Sequence, residues 1–527
     1  MRWFTNAVGL LSFGVAITAG SAIPTHRSEP VYSSHPDRAD AVKAAFQLSW
    51  DGYYKYAFPH DSLQPQNNSY KDDRNGWGAS AIDAFSTAVV MENSQVIQQI
   101  LDHVQNINFD NSVGTISLFE TTIRYLGGLL SAYDLLQGPL NQYATNETAV
   151  ANILNKARHL ADNLAVGFNT TTGIPDNILL FDPPRTNGST SNGLATIGTL
   201  ILEWTRLSDL TGNQFYRELA ERGQSYLMNP QPQGLAEPFP GLVGTNLNIS
   251  NGLFTDGTGG WGGGDDSFYE YLLKMYLYDP VRFATYKDRW IAAADSSIKY
   301  LASSPVTRPD LTFLATFDNQ TRIFQSGHLT CFDGGNFILG GLTLDVPRYI
   351  DFGLNLTAAC RETYRATATG IGPEGFQWQD NGGQAAINAT NNPAPPAESA
   401  AFAQEAGFWV SDSQYMLRPE VIESYYYSYR ATGDAKYQEW AWDAFLAINK
   451  TCAVGSGYSS INDVNKAGGG GFQNFQESFW FAEVLKYSFL IQAPDADYQV
   501  QPDHTNKFVF NTECHPLLIP GGEQAHR

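Results

Sequence analysis

The sequence predicts an all-α chain whose helices close into a toroid, and three observations lead there. Apolar residues recur with a helical period in about fourteen segments, more than a small bundle uses. Two junctions, "LTGNQFY" at 210–216 and "ATGDAKY" at 431–437, repeat the same signals at the same offsets. In each, Gly212 or Gly433 ends one helix, Asn213 or Asp434 caps the next, and Tyr216 or Tyr437 follows in its first turn. That is the punctuation of repeated helical hairpins. No charge-rich linker divides the 527 residues, so one large domain is expected.

In chain order the expected helices span 39–57, 77–92, 94–106, 118–136, 148–167, 193–208, 213–227, 267–278, 281–302, 334–342, 346–366, 419–430, 435–450 and 476–490. In 118–136 an apolar stripe (Phe119, Ile123, Leu126, Leu130, Tyr133) runs beside Glu120, Arg124, Gly127 and Ser131. Small residues above a Glu and an Arg leave room for a cleft, although Glu120–Arg124 also reads as an ordinary i,i+4 surface pair. The 267–278 helix opens on Asp265 and Asp266, and Ser267 with Glu270 reads as a capping box. The 419–430 helix has Pro419 suited to its first turn, with Glu420 and Glu423 on the face of Ser424 and Tyr427. In 476–490, Glu477 stands at the start and Glu483 on a stripe with Phe479, Trp480 and Tyr487. A carboxylate in an aromatic stripe is costly unless paired, hydrogen-bonded or metal-bound. Two long Gly/Pro-rich segments, 228–265 and 367–400, read as surface or rim insertions.

Composition narrows the function classes. The net charge of −21 argues against nucleic acid or an anionic membrane as partner. With 43% hydrophobic and 13% aromatic residues a large core is available, while only 16% are charged. Arg2, the apolar run Ala7–Gly20 and the small residues Gly20, Ser21 and Ala22 read as a signal peptide over 1–22. No later run is long enough for a membrane span. Asn67, Asn146, Asn169, Asn187, Asn248, Asn319, Asn355, Asn388 and Asn449 head N-x-S/T sequons, as in a glycosylated, secreted protein or one held in the secretory lumen. Four cysteines allow three fully paired connectivities. A Cys331–Cys360 bond would close a loop of about 30 residues, contributing roughly 3–4 kcal/mol by chain entropy.

Other chemistries fail on their motifs. "GIGPEG" (370–375) matches G-x-G-x-x-G, but Pro373 interrupts it and no βαβ unit surrounds it. H-E-x-x-H, P-loop, EF-hand and G-x-S-x-G patterns are absent, and C-x-x-C is missing. What remains is a set of carboxylates at helix starts, on faces rich in small or aromatic residues. Aromatics stack on sugar rings, and two carboxylates can divide acid and base roles in glycosidic cleavage. Glycoside hydrolase leads this reading, beside a carbohydrate-binding lectin and an acid-lined structural toroid.

The motifs "SLFETTIRYLGGLLSAYDLL", "DSFYEYLLKMY", "HLTCF", "GPE", "LRPEVIES", "ESFWFAEVLKY" and "VFNTECHP" occur in the order found in glycoside hydrolase family 47. The chain resembles these class I α-1,2-mannosidases, above all their secreted fungal branch, over about residues 36–516, leaving 517–527 as a tail. The resemblance implies an (αα)7 barrel with alternating inner and outer helices and an axial Ca²⁺. It also implies inverting hydrolysis of terminal α-1,2-linked mannose in high-mannose oligosaccharides, by a monomer.

Carried over residue by residue, Glu120 resembles the general acid acting through a water, and Glu420 the base. Asp266 is a third catalytic carboxylate, its role against Glu120 left open. Thr512 matches the calcium ligand, with Glu374, Glu423, Glu483 and Glu513 around the ion's waters. Arg124, Arg418 and His328 are expected to contact sugar, and Phe479 to stack on it. Cys331 and Cys360 match the family disulfide. Three positions depart from the family pattern. Cys514 replaces a usual Ala, which leaves a free thiol or an extra bond to Cys452 as alternatives. Gly264 stands where the ER branch has Arg, which points to broader trimming. In "DAFST" (83–87), Asp83 is kept but Ser86 replaces a second acid, which is read as dispensable.

Overall fold

A computed structural model describes residues 30–382 and 391–521; the expected signal peptide and the Asn388 sequon lie outside the described residues. Two sets of helices alternate along the chain. The outer set is α1 (Pro36–Tyr56), α3 (Ser94–Asn106), α5 (Glu147–Leu164), α7 (Phe215–Met228), α9 (284–301), α11 (Pro347–Arg365) and α13 (Lys436–Cys452). The inner set is α2 (Ala79–Val90), α4 (118–137), α6 (194–211), α8 (Asp266–Tyr278), α10 (Asp333–Leu344), α12 (Glu420–Thr432) and α14 (480–490).

The inner helices touch in sequence, α2 to α4 to α6 to α8 to α10 to α12 to α14, and α14 returns to α2. That closes a ring, and each outer helix packs against an inner neighbour, which makes an (αα)7 barrel. Burial follows the ring. All twelve residues of α2 are buried, whereas α3 buries a single stripe of Val96, Ile97, Ile100, Leu101 and Val104.

Short turns join inner to outer helices at one end of the barrel. At two of these, Gly212 and Gly433 have φ of +68° and +67°, the left-handed conformation that stops a helix. Asn213 and Asp434 then accept the backbone N–H of Phe215 and Lys436 at 3.2 and 3.0 Å, starting α7 and α13 as expected. The opposite end receives the long connections, and there α4, α8 and α12 begin with Glu120, Asp266 and Glu420 in their first turns.

A hairpin, β1 (Phe508–Phe510) and β2 (Pro516–Leu518), runs up the barrel axis. The Leu518 N–H donates to Asp134 near the end of α4, while Asn511 in the turn donates to the Ile123 carbonyl near its start. Lys274 of α8 and Lys486 of α14 donate to the Asn511 and Cys514 carbonyls. The turn 511–515 is therefore gripped by the ring and forms the cavity floor.

The 367–400 segment, expected as a surface or rim insertion, also contributes to a small sheet and a core. Its strand Gly375–Gln377 pairs with Gln325–Gly327 and Trp409–Asp412. Trp378 then closes a second apolar cluster with Phe313, Phe324, Phe376 and Phe408. Pairings this short carry no readable period in the sequence. Helix α6 is split into Leu194–Gly198 and Ile201–Thr211, and α14 starts at Trp480, four residues later than expected. Cys331 and Cys360 are bonded with Cα atoms 6.0 Å apart, tying the start of α10 to α11. Cys452 and Cys514 are buried free thiols, so the alternative bond between them does not form. Of the described sequon asparagines, Asn67, Asn146, Asn169, Asn187, Asn319 and Asn355 are exposed, and Asn248 and Asn449 half-buried.

Candidate active site

A cavity of about 320 Å³ opens where the inner helices begin. Seven carboxylates line it: Glu120 from α4, Asp266 and Glu270 from α8, Glu420 and Glu423 from α12, Glu483 from α14 and Glu513 from the hairpin. Arg124 and Arg418 are the cations of the same wall, with Phe479 flanked by both at 5.5 and 6.0 Å from its ring centre.

Two π-helical turns aim this wall. One, Thr122–Leu126, follows Glu120 in α4; the other, Trp480–Val484, carries Glu483 in α14. A π turn inserts one residue, rotates the face beyond it, and is frequent at functional sites. Gly127 in α4 is needed for the approach of the hairpin and Gly128 for that of α2, since a Cβ would lie 2.6 Å from Asn511 Nδ2 at the first and 2.8 Å from Ile82 at the second.

The carboxylates divide by their surroundings. Burial raises Glu420, but His328 and then Arg418 outweigh it and hold the carboxyl below its ordinary value. His328 Nδ1 lies 2.6 Å from Glu420 Oε2, and Arg418 Nη1 4.0 Å from Oε1. Glu120 also meets a burial penalty, which Arg124 and Arg74 overcome to leave its pKa lowered; Arg124 Nε donates to it at 2.8 Å. Asp266 goes the other way, pushed up to about 7 by burial and by the Glu270 and Glu420 charges. Glu423 and Glu483 are pushed well above the usual range by burial and neighbouring carboxylates. Glu513 is pushed to about 8 by burial and by Asp83 and Glu120, even though Arg124 Nη1 lies 2.8 Å away.

Such crowding of acids fits a hard divalent cation, whose charge would relieve the repulsion. Thr512 lines the cavity beside them. Among the described residues only its N–H is hydrogen-bonded, to the Tyr271 hydroxyl at 3.2 Å, which leaves its carbonyl and hydroxyl oxygens to a ligand. Among the described residues no three Asp, Glu, His or Cys side chains converge as a direct cage. The donor set thus suits an ion held by Thr512 oxygens, with carboxylates surrounding its other ligands.

Residues 45–519 match the profile of glycosyl hydrolase family 47. The chain belongs to that family. It is 52% identical to a probable mannosyl-oligosaccharide α-1,2-mannosidase 1B of Aspergillus niger over 98% of this chain and 99% of the relative. Identity to a mannosyl-oligosaccharide α-1,2-mannosidase of Penicillium citrinum is 51%, covering 98% of each chain. Among solved structures, an α-1,2-mannosidase from Trichoderma reesei superposes with a TM-score of 0.90 at 54% identity, covering 92% of this chain and 100% of that one.

Against the family 47 expectations, Glu120, Arg124, Asp266, Arg418, Glu420, Glu423, Phe479, Glu483, Thr512 and Glu513 meet at one cavity. Two expected residues stand behind it. His328 is buried with both ring nitrogens engaged, by Glu420 and by the Tyr364 hydroxyl at 2.7 Å, so it braces Glu420 rather than touching sugar. Glu374 is taken up by Arg418 Nε at 2.5 Å and the Met416 N–H at 3.0 Å, so it fixes Arg418 rather than facing the ion.

The surface-pair reading of Glu120–Arg124 also fails. Arg124 is 5% exposed and bridges Glu120, Asp83 and Glu513. No capping box forms in α8: Glu270 pairs with the buried Lys274, and Asp266 itself accepts the Ser267 N–H at 2.8 Å. Glu270 is the site residue that sequence reasoning missed; its i,i+4 spacing from Asp266 was the available signal. Ser86 fills the place of the second acid by bonding His515 Nδ1 at 2.8 Å. At the cavity edge Gly264 has φ +101°, and a Cβ there would meet only the Thr245 methyl at 3.5 Å.

Proposed function

We propose that this family 47 chain hydrolyses terminal α-1,2-linked mannose of high-mannose oligosaccharides with inversion, as a secreted, calcium-dependent monomer. The arrangement that carries the reading is one cavity holding Glu420, braced by His328 and Arg418 with its carboxyl held below the ordinary value, and Asp266, whose carboxyl burial and neighbouring acids push up to about 7. The names of its relatives supply the sugar and the linkage. The N-terminal address supports export, and among the described residues no helix is long and apolar enough to cross a membrane.

Glu420 accepts the proton of the attacking water. Asp266 delivers a proton to the departing glycosidic oxygen, the role that the resemblance gives to Glu120. Glu120 stays anionic beside Arg124 and orients that guanidinium towards the sugar. Phe479 offers an aromatic face to the terminal mannose, and Arg418, held by Glu374, donates to its hydroxyls. When bound, Ca²⁺ at Thr512 supplies a hard centre that binds sugar hydroxyls and water. A lectin would need neither a braced base nor a second carboxyl raised towards neutrality.

The deciding experiment follows α-1,2-mannobiose hydrolysis by NMR. β-Mannose is released first; α-mannose first would mean retention and overturn the roles of Asp266 and Glu420. Binding without release would establish the lectin instead. The pH–rate profile tests the acid assignment. Asp266 donates only while protonated, so the rate falls as pH rises through about 7. Glu420 works only while ionised, so the acid limb lies below the ordinary glutamate range. Asp266→Asn lowers kcat by about 10²–10⁴-fold and removes the limb near neutrality. A limb that survives this substitution would return the role to Glu120.

A further inference from the structure

Glu203 lies in α6, is 0% exposed and is absent from the cavity wall. Its Oε1 accepts two hydrogen bonds, from the Tyr271 hydroxyl at 2.6 Å and from Asn511 Nδ2 at 2.8 Å. Both partners reach Thr512. The Tyr271 hydroxyl accepts the Thr512 N–H, and Asn511 precedes Thr512 in the hairpin turn. Asn511 Nδ2 also donates to the Ile123 carbonyl at 2.9 Å, while its Oδ1 accepts the Glu513 N–H at 2.9 Å and the His515 N–H at 2.8 Å.

The geometry of the peptide bond gives these contacts a consequence. In a trans peptide the carbonyl points opposite to the N–H of the next residue. Holding the Glu513 N–H on Asn511 Oδ1 therefore sets the direction of the Thr512 carbonyl. Holding the Thr512 N–H on Tyr271 sets the peptide plane before it. Glu203 anchors both holders. Burial pushes its carboxyl up to about 8, so a neutral acid occupies this position near neutrality.

We propose that Glu203 is a positioning residue for the metal centre. Acting through Tyr271 and Asn511, it fixes how Thr512 presents its oxygens to the ion. The inference rests on the reading of Thr512 as the Ca²⁺ ligand.

The test is a calorimetric Ca²⁺ titration of the full, metal-stripped chain and its variants, with the melting temperature of each metal-free protein alongside. Glu203→Gln keeps a neutral acceptor in place and binds Ca²⁺ within about threefold of the parent chain. Glu203→Leu removes the acceptor and weakens binding about 10–100-fold, the usual effect of losing a group that orients a ligand. Tyr271→Phe deletes one hydroxyl and weakens binding in the same direction, and the Leu/Phe pair falls short of the product of the single effects.

A merely structural role would lower melting temperature in Glu203→Leu and leave Ca²⁺ affinity unchanged, which overturns the proposal. Equal weakening in Glu203→Gln and Glu203→Leu also overturns it. Should Glu203→Leu not fold, an unchanged affinity in Tyr271→Phe does the same. Failure of the parent chain itself to bind Ca²⁺ would instead overturn the metal reading of Thr512.

Discussion

Glu420→Gln lowers kcat by about 10²–10⁴-fold while Ca²⁺ binding and melting temperature stay close to those of the parent chain. The amide keeps the size of the carboxyl and an oxygen to accept from His328, which approaches Glu420 at 2.6 Å. What it lacks is the capacity to take a proton from water. Because Glu420 is buried at the first residue of α12, no other group reaches its position without moving the helix. The contrast with His328→Ala is informative. That change leaves the carboxylate present but unbraced, so Glu420 would rise towards protonation and the acid limb of the pH profile would move upward. A less than tenfold loss in Glu420→Gln, measured by initial rates on mannobiose, would remove Glu420 from the base role.

Thr512→Val weakens Ca²⁺ binding at least about tenfold and lowers activity at limiting metal, with recovery as Ca²⁺ is raised. Valine matches threonine in shape and retains the N–H that Tyr271 accepts, so the turn keeps its form. Only the hydroxyl oxygen is lost. Chelation of the parent chain should abolish hydrolysis, and added Ca²⁺ should restore it. The binding isotherm checks the first statement and a rate assay with EDTA the second. Unchanged affinity in Thr512→Val would mean that the ion is held elsewhere.

The barrel was readable because its logic is local and repeated. Gly212 and Gly433 announce the inner-to-outer turns, and the 118–136 helix carries a second stripe of Glu120, Arg124, Gly127 and Ser131 beside its apolar one. Glu120, Asp266 and Glu420 were legible as acids in helix first turns, where short-range pattern and function coincide. Glu270 was hidden by the same coincidence, since Ser267 and Glu270 satisfy the capping-box pattern without forming one. His328 and Glu374 could be singled out, but which side of Glu420 or Arg418 they occupy depends on chain segments about 90 and 44 residues apart. The π turns in α4 and α14 leave no mark on composition, yet they set the wall's direction.

The hairpin at Phe508–Leu518 follows every barrel helix in the chain. During synthesis, then, the ring can be assembled and its acids brought together before the segment bearing Thr512 leaves the ribosome. Until that segment threads into the axis, Lys274 and Lys486 lack the Asn511 and Cys514 carbonyls, and the acids of the ring helices face one another without Thr512, the proposed Ca²⁺ ligand. If Thr512 holds the ion as proposed, catalytic competence waits for this hairpin. A polypeptide terminated just before Phe508 would carry six of the seven cavity carboxylates, lacking Glu513 and Thr512, and is expected to remain inert until the hairpin is added.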